Sequence, residues 1–261
     1  MSLLFLPMIL LGFGIACSIM LGAWFLWMKL TKGTLLEVGR VLAVVLVSGC
    51  FLWIGGGWNP RKAILFAMVF LWGSRLAVFL LTSRVFHRSE EGKYQFLMAP
   101  WKNLTARNFL YLCQVQSTAI VIFALPALVA GFNKAKGFSA LEMEGFILWI
   151  VAFFGEMTAD SQLWGFRAKR ANRGKTCRQG LWKFSRHPNY FFEWLAWCGI
   201  ALFTLASPLG WVALVCPALM YYFLTRVTGI PVTEAQALRT RGVGYKNYQK
   251  TTSAFFLRSK R

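Results

Sequence analysis

The chain has 261 residues, 57% hydrophobic, 16% aromatic and only 15% charged, with a mean hydropathy of +0.52. A soluble domain of this composition could not cover its core with polar surface, so a polytopic membrane protein is expected instead. The net charge of +20 would suit nucleic acid, but its distribution is explained by membrane topology and anionic headgroups, so no nucleic-acid partner is expected.

A helix needs roughly 20 apolar residues to cross about 30 Å of hydrocarbon. Segments 3–28, 38–55, 63–83, 108–131, 144–165, 190–207 and 209–228 meet that need. Spanning backbone must satisfy its own polar groups, so each is expected to be helical. The expected architecture is therefore all-α, a single seven-helix membrane domain over 1–261. The first segment is too long, and lacks the small-residue cleavage site, to be a signal peptide, so it is read as retained. The last two segments form a hairpin broken at Ser207-Pro208-Leu209-Gly210.

Lys and Arg gather in alternate connections. Three lie in 29–40, five in 84–107, eight in 167–186 and seven after residue 230. The opposite connections hold Arg61, Lys62, Lys134 and Lys136. The positive-inside rule then places the N-terminus outside and the C-terminus in the cytoplasm. An odd number of spans is required for this, and seven is odd. Eight cations in one connection exceed what orientation needs, and an anionic ligand such as a dinucleotide phosphate would use them.

Five of the six cysteines (Cys17, Cys50, Cys113, Cys198 and Cys216) fall in spans, and Cys177 lies in a cytoplasmic connection. None form a C-x-x-C, so they read as apolar packers and no metal is expected. There is no dinucleotide fingerprint in a βαβ context, no P-loop and no H-E-x-x-H. With only His87 and His187 there is no Ser/His/Asp set. Any ligand must bind between helices.

The acidic residues number nine. Glu156 and Asp160 share a helix face in the fifth segment, and Glu193 lies one turn inside the sixth. Ionisable groups at membrane depth are costly and normally face a polar cavity, although a structural ion pair would also satisfy Glu156. Glu90, Glu91 and Tyr94 occupy another cytoplasmic connection, and Glu234 follows the seventh segment on the same side. The stretch "FSRHPNYFFEWL" (184–195) concentrates the question. Arg186 alone could be an interfacial anchor, but Asn189 and Glu193, four apart and inside the span, are more than an anchor needs.

"GLWKFSRHPNYFFEWLAWCGIAL" followed by "TGIPVTEAQALRTRGVGYKNYQKTTSAF" resembles the bacterial DUF1295 proteins, which belong with the steroid 5α-reductase family. Upstream, "LWGSRLAVFLLTSR" and "EEGKYQ" fit the same pattern. The resemblance covers about 60–255, with the cofactor region mainly in 155–250, and residues 1–58 match only in being apolar. It implies a seven-helix bundle that binds NADPH in a cytoplasm-facing cavity and reduces a C=C bond conjugated to a ketone in a hydrophobic steroid or lipid substrate. The implied cofactor contacts are Asp160, Arg167, Asn189, Tyr190 and Glu193. Lys175, Arg178 and Arg186 would meet phosphates, Ser185 and His187 complete the wall, and Glu234 joins from the tail. Hydride would go to the carbon β to the ketone, charge would develop on the ketone oxygen, and a proton would reach the α carbon.

The chain departs from the family's pattern at three places. Phe192 stands where the family often has Gly. Ser74-Arg75-Leu76 stands where eukaryotic members carry a His-Tyr pair, and Glu234 stands where they carry a tail His. The ketone-polarising acid is therefore sought elsewhere, at Tyr94 or Glu91. "SRHPNYFF" also resembles the Arg-His-Pro-x-Tyr segment of isoprenylcysteine carboxyl methyltransferases, which would imply S-adenosylmethionine and methyl transfer. A non-enzymatic transporter or lipid-binding protein is the third alternative. It would favour internal repeats and helices broken at mid-membrane, and the chain shows neither.

Overall fold

The structure is a computed structural model that describes residues 2–30, 33–82 and 106–258. Among these, the regular structure is helical, apart from one isolated parallel bridge between Ser185 and Ser253. The helices are α1 (Ser2–Leu30), α2 (Thr34–Ile54), α3 (Asn59–Leu80), α4 (Ala106–Gly131), α5 (Ala140–Ala168), α6 (Pro188–Leu205), α7 (Val215–Tyr222) and α8 (Ile230–Thr251). The predicted sites Tyr94 and Glu91, and His87, lie outside the described residues.

Five helical segments are long and apolar enough to cross a membrane: Phe5–Leu30, Thr34–Ile54, Asn59–Leu80, Arg107–Gly131 and the run Gly210–Thr251. The apolar part of that last run is its first half. Beyond it α8 carries Arg239, Arg241, Lys246 and Lys250, too many cations to place in hydrocarbon. Helices α5 and α6 are not among the five. They carry Glu156, Asp160, Asn189 and Glu193, and each such residue lowers the hydropathy of the helix that holds it.

The seventh expected segment, 209–228, is not one α-helix. It is a 3-10 stretch (Gly210–Leu214), then α7, then a π turn (Phe223–Val227). Leu209 enters it in the left-handed region at φ 63°.

The chain forms two compact units. One comprises Met1–Met143 with Ile200–Cys216, the other Glu144–Gly199 with Pro217–Arg261. In the first unit α2 packs against α1, α3 and α4. Small residues let these helices approach closely. A Cβ on Gly12 would meet the Phe51 ring at 2.5 Å, and one on Gly73 would meet Val45 at 2.4 Å. Trp27 stacks on Phe109 with centroids 3.7 Å apart.

In the second unit, α5 and α6 approach closely at Gly199, where a Cβ would lie 2.8 Å from the Gly145 carbonyl oxygen. The Phe192 ring fills the space over Gly155. The bulky residue at this position is thus matched by a missing side chain on the facing helix.

Candidate functional site

The second unit gathers its polar side chains where α6 begins. Pro188 sits at the start of α6, where a missing N–H costs nothing. Just before it, the Ser185 hydroxyl donates to the Phe255 carbonyl at 2.8 Å and accepts the His187 amide at 3.1 Å. The Arg186 amide donates to the Ser253 carbonyl at 2.8 Å. The segment 184–187 is therefore stitched to 252–258, and residues far apart in sequence meet at one helix terminus.

Glu234 is the hub. Its Oε1 accepts from Arg186 Nε at 2.6 Å, from His187 Nε2 at 3.3 Å and from the Tyr245 hydroxyl at 3.4 Å. Its Oε2 accepts from Gln249 Nε2 at 2.7 Å. Tyr245 and Gln249 belong to the same helix as Glu234, yet 11 and 15 residues along a straight helix would put them about 16 and 22 Å away. They reach it because α8 breaks at Gly242, whose φ of 52° and ψ of −129° are not helical. The second arm of α8 folds back, and Glu234 clasps the two arms.

Arg186 is 8% exposed and makes several hydrogen bonds. Besides Glu234, its guanidinium donates to the carbonyls of Gln249 at 2.9 Å and Thr252 at 2.7 Å. Burial raises the Glu234 carboxyl, but hydrogen bonds from His187 and Arg186 and the Arg186 charge outweigh it and hold the group at about 2. Burial holds His187 below its ordinary 6.5 although the Glu234 carboxylate pulls the other way. The imidazole is thus neutral near pH 7, and facing a carboxylate it carries its proton on Nε2. Its ring stacks on Tyr190, centroids 5.3 Å apart and planes 7° off parallel.

The predicted residues inside α5 and α6 meet as well. Asn189 Nδ2 donates to Asp160 Oδ1 at 3.3 Å, joining the two helix faces. The Tyr190 hydroxyl lies 3.0 Å from the Thr233 hydroxyl, next to Glu234. Glu193 and Glu156 are both buried. Of the predicted cations, Arg167 ends α5 and is exposed, as are Lys175 and Arg178 in the following connection. Arg178 donates to the Gly244 carbonyl at 2.7 Å and lies 5.3 Å over the Tyr248 ring.

That connection is anchored on α5. Trp182 Nε1 donates to the Ala159 carbonyl at 3.0 Å, and Gln162 Oε1 accepts the Leu181 amide at 2.9 Å. The Tyr248 hydroxyl donates to the carbonyls of Trp182 and Ser185. Tyr245, Tyr248, Gln249 and Trp182 are parts of the site that sequence reasoning missed. The signal was the run "GVGYKNYQ", with Tyr245 and Gln249 four apart on one face directly after two glycines.

A second polar centre, in the first unit, was also missed. Arg61, counted by sequence among the loop cations, is 2% exposed and pairs with Glu142. Its guanidinium also donates to the carbonyls of Asn133 (3.2 Å), Ala135 (2.6 Å) and Gly137 (2.9 Å). Glu142 closes a capping box at the start of α5. Its Oε2 accepts the Ser139 amide at 2.7 Å, and the Ser139 hydroxyl accepts the Glu142 amide at 3.3 Å. The S-x-x-E spacing in "SALE" was the legible sign.

Among the described residues, no group of three His, Cys, Asp or Glu is placed to hold a metal ion. Asp160, Asn189 and Tyr190 offer neutral and charged hydrogen bonds, and exposed cations lie in the same unit. That donor set suits a ligand with polar amide or ribose groups and an anionic end.

Comparison with known proteins agrees in extent with this layout. An uncharacterized protein of Schizosaccharomyces pombe is 28% identical over 241 residues, covering 80% of this chain and 67% of its own length. No solved structure matches. Residues 23–252 match the family described as "Protein of unknown function (DUF1295)", a range that takes in Arg186, Glu234 and both arms of α8. The chain is therefore a member of the DUF1295 family, and an integral membrane protein by its apolar helices.

Proposed function

We propose that this protein is an NADPH-dependent membrane reductase of a C=C bond conjugated to a ketone, in a hydrophobic steroid-like or lipid substrate. The observation that carries the reading is the Asp160–Asn189 pair, half-buried where α5 and α6 meet and in the same unit as the exposed Lys175 and Arg178. The amide and carboxylate suit a nicotinamide carboxamide or a ribose, and the cations suit phosphates. Arg186, bonded to Glu234 and two carbonyls, takes a positioning role in this reading: it holds α8 against the start of α6. When bound, the cofactor would supply the hydride. The chain's own part is to orient the ring, keep water away and place a donor at the ketone oxygen, for which Tyr94 and Glu91 remain the proposed residues.

The reading includes seven spans, with α5 and α6 crossing despite their polar residues. It places the N-terminus outside and the C-terminus in the cytoplasm of a bacterial inner membrane, with the basic connection on the cytoplasmic side. Methyl transfer from S-adenosylmethionine is the second reading. The observation in its favour is that the Arg-His-Pro-x-Tyr segment and the tail acid Glu234 bind one another directly.

The test is a titration of detergent-purified protein with NADPH, NADH and S-adenosylmethionine, followed by Tm. NADPH alone should stabilise, by about 2.7 kcal/mol at a hundredfold excess over Kd. Asn189→Ala and Lys175→Glu should weaken NADPH binding while leaving the ligand-free Tm within a few degrees. Stabilisation by S-adenosylmethionine only moves the assignment to methyl transfer, and a response to none of the three removes both readings.

A further inference from the structure

Residues of three connections of the first unit border an open hollow of about 740 Å³: Ile54 and Gly56 between α2 and α3, Phe132 to Ala135 between α4 and α5, and Pro208 after α6. That volume lies within the roughly 300–1,000 Å³ of small-ligand pockets. Ile54, Phe132, Ala135 and Pro208 make an apolar wall, and Lys134 is the one charged residue in the lining.

The polar groups around this cavity divide sharply. Asn133 is used by the fold, its Nδ2 bonding the Ser207 hydroxyl at 3.0 Å and its Oδ1 accepting the Ala135 amide at 3.0 Å. Arg61 is buried against Glu142 and three carbonyls, and Lys62 Nζ donates to the Gly55 carbonyl at 2.8 Å. Lys134 is exposed and makes no ion pair among the described residues. A cation at the mouth of an apolar hollow is complementary to an anion that carries an apolar chain.

The three consecutive glycines of the first connection point the same way. A Cβ on Gly55 would strike the Gly131 carbonyl oxygen at 2.2 Å, and one on Gly57 would strike it at 2.6 Å, so packing requires both. A Cβ on Gly56 would meet nothing within 4 Å, and its φ is not in the left-handed region. Gly56 lines the cavity. Its missing side chain serves neither packing nor backbone conformation, and what it leaves is room. The walls are also held in place, because Arg61 binds the carbonyls of Asn133, Ala135 and Gly137 along one of them.

The setting identifies the ligand class. Trp53 precedes Ile54 and is 88% exposed, and Trp211 follows Pro208 by three residues and is 66% exposed. Exposed tryptophans at the ends of apolar helices mark the level of lipid headgroups.

We propose that this cavity binds an anionic amphiphile, with Lys134 pairing the headgroup charge, the space over Gly56 holding the atoms next to it, and the apolar wall leading the chain toward the bilayer. A phospholipid phosphate and a free fatty carboxylate share this chemistry. The site does not depend on the reductase reading, since every residue in it belongs to the first unit.

The experiment is native mass spectrometry of the full chain in detergent, titrated separately with dioleoylphosphatidylglycerol, dioleoylphosphatidylcholine and oleate. The wild type should retain an anionic adduct and no phosphatidylcholine. Retention of phosphatidylglycerol assigns the site to phospholipid, and retention of oleate alone assigns it to free fatty acid. Lys134→Gln should lower retention about tenfold, as expected for one charge-assisted hydrogen bond. Gly56→Leu should abolish it by filling the space, and Lys136→Gln, an exposed cation outside the lining, should leave it unchanged. Both test positions are exposed, and an unchanged Tm of each variant confirms that it folds. Equal retention of the neutral lipid, absence of any adduct, or wild-type retention in either Lys134→Gln or Gly56→Leu overturns the proposal.

Discussion

Two Arg–Glu pairs among the described residues invite comparison, because they are built differently. Arg61–Glu142 is closed: the guanidinium is spent on the acid and three carbonyls, and the acid on Arg61 and its own capping serine. Arg186–Glu234 is shared: one carboxylate takes bonds from an arginine, a histidine, a tyrosine and a glutamine. The first pair has side chains 3% and 1% exposed, the second 9% and 14%. A closed pair fixes a loop. A shared pair couples several elements and leaves a neutral, titratable imidazole beside a helix terminus. The candidate site is built around the shared pair.

The largest effect should come from opening the closed pair. Glu142→Ala strands a buried guanidinium and should cost about 3–5 kcal/mol of unfolding free energy in mixed micelles. The apolar double replacement Arg61→Met with Glu142→Leu should not restore stability, because the three carbonyls then lose their donor. Full recovery would show that the loop is held by other means. Glu234→Gln should cost less, about 1.5–3 kcal/mol, since the pair is partly wet and the amide still meets Gln249 and Tyr245. Hydrogen exchange should quicken in 230–253 and stay unchanged in 34–54. Acceleration in both stretches would mean that the two pairs are not independent.

The pH response should separate them further. His187 is neutral in the fold and takes up a proton near 6.5 when unfolded, so its contribution is complete above that value and declines as pH falls through it. Glu234 is ionised in the fold down to about 2 against an ordinary 4.5, so its contribution is complete above 4.5 and is lost as pH falls from there toward 2. Thermal melts across pH should show the first decline in wild type and not in His187→Gln, and a decline that persists in the variant assigns it to another group. The smallest effect is expected for Tyr245→Phe, whose hydroxyl lies a long 3.4 Å from the carboxylate: about 0.5 kcal/mol, read from denaturant melts.

The apolar segments were legible because hydropathy needs no partner to be read, and α1 to α4 fall where the runs of Leu, Val and Phe predict them. The segment 209–228 was legible as apolar but not as an irregular helix. Its 3-10 and π turns lie next to Pro208, Gly210 and Gly229, and a hydropathy window does not weigh such residues. The meeting of Asn189 with Asp160 could be anticipated from two i, i+4 faces at adjoining helix ends. The Glu234 clasp could not be anticipated in the same way, because it depends on the dihedral angles of Gly242. Arg61 was misplaced among loop cations for a related reason: its partner lies 81 residues away, and only packing brings them together.

The fold-back of α8 also sets an order of events during synthesis. Arg186 emerges 48 residues before its acid, and the carbonyl of Thr252 that it also binds comes 66 residues after it. A chain that stops at Gly242 carries neither carbonyl that Arg186 binds, and it lacks the Tyr245 and Gln249 donors to Glu234. The bonds around the start of α6 are therefore complete only once the segment through Arg258 has been made and has left the ribosome.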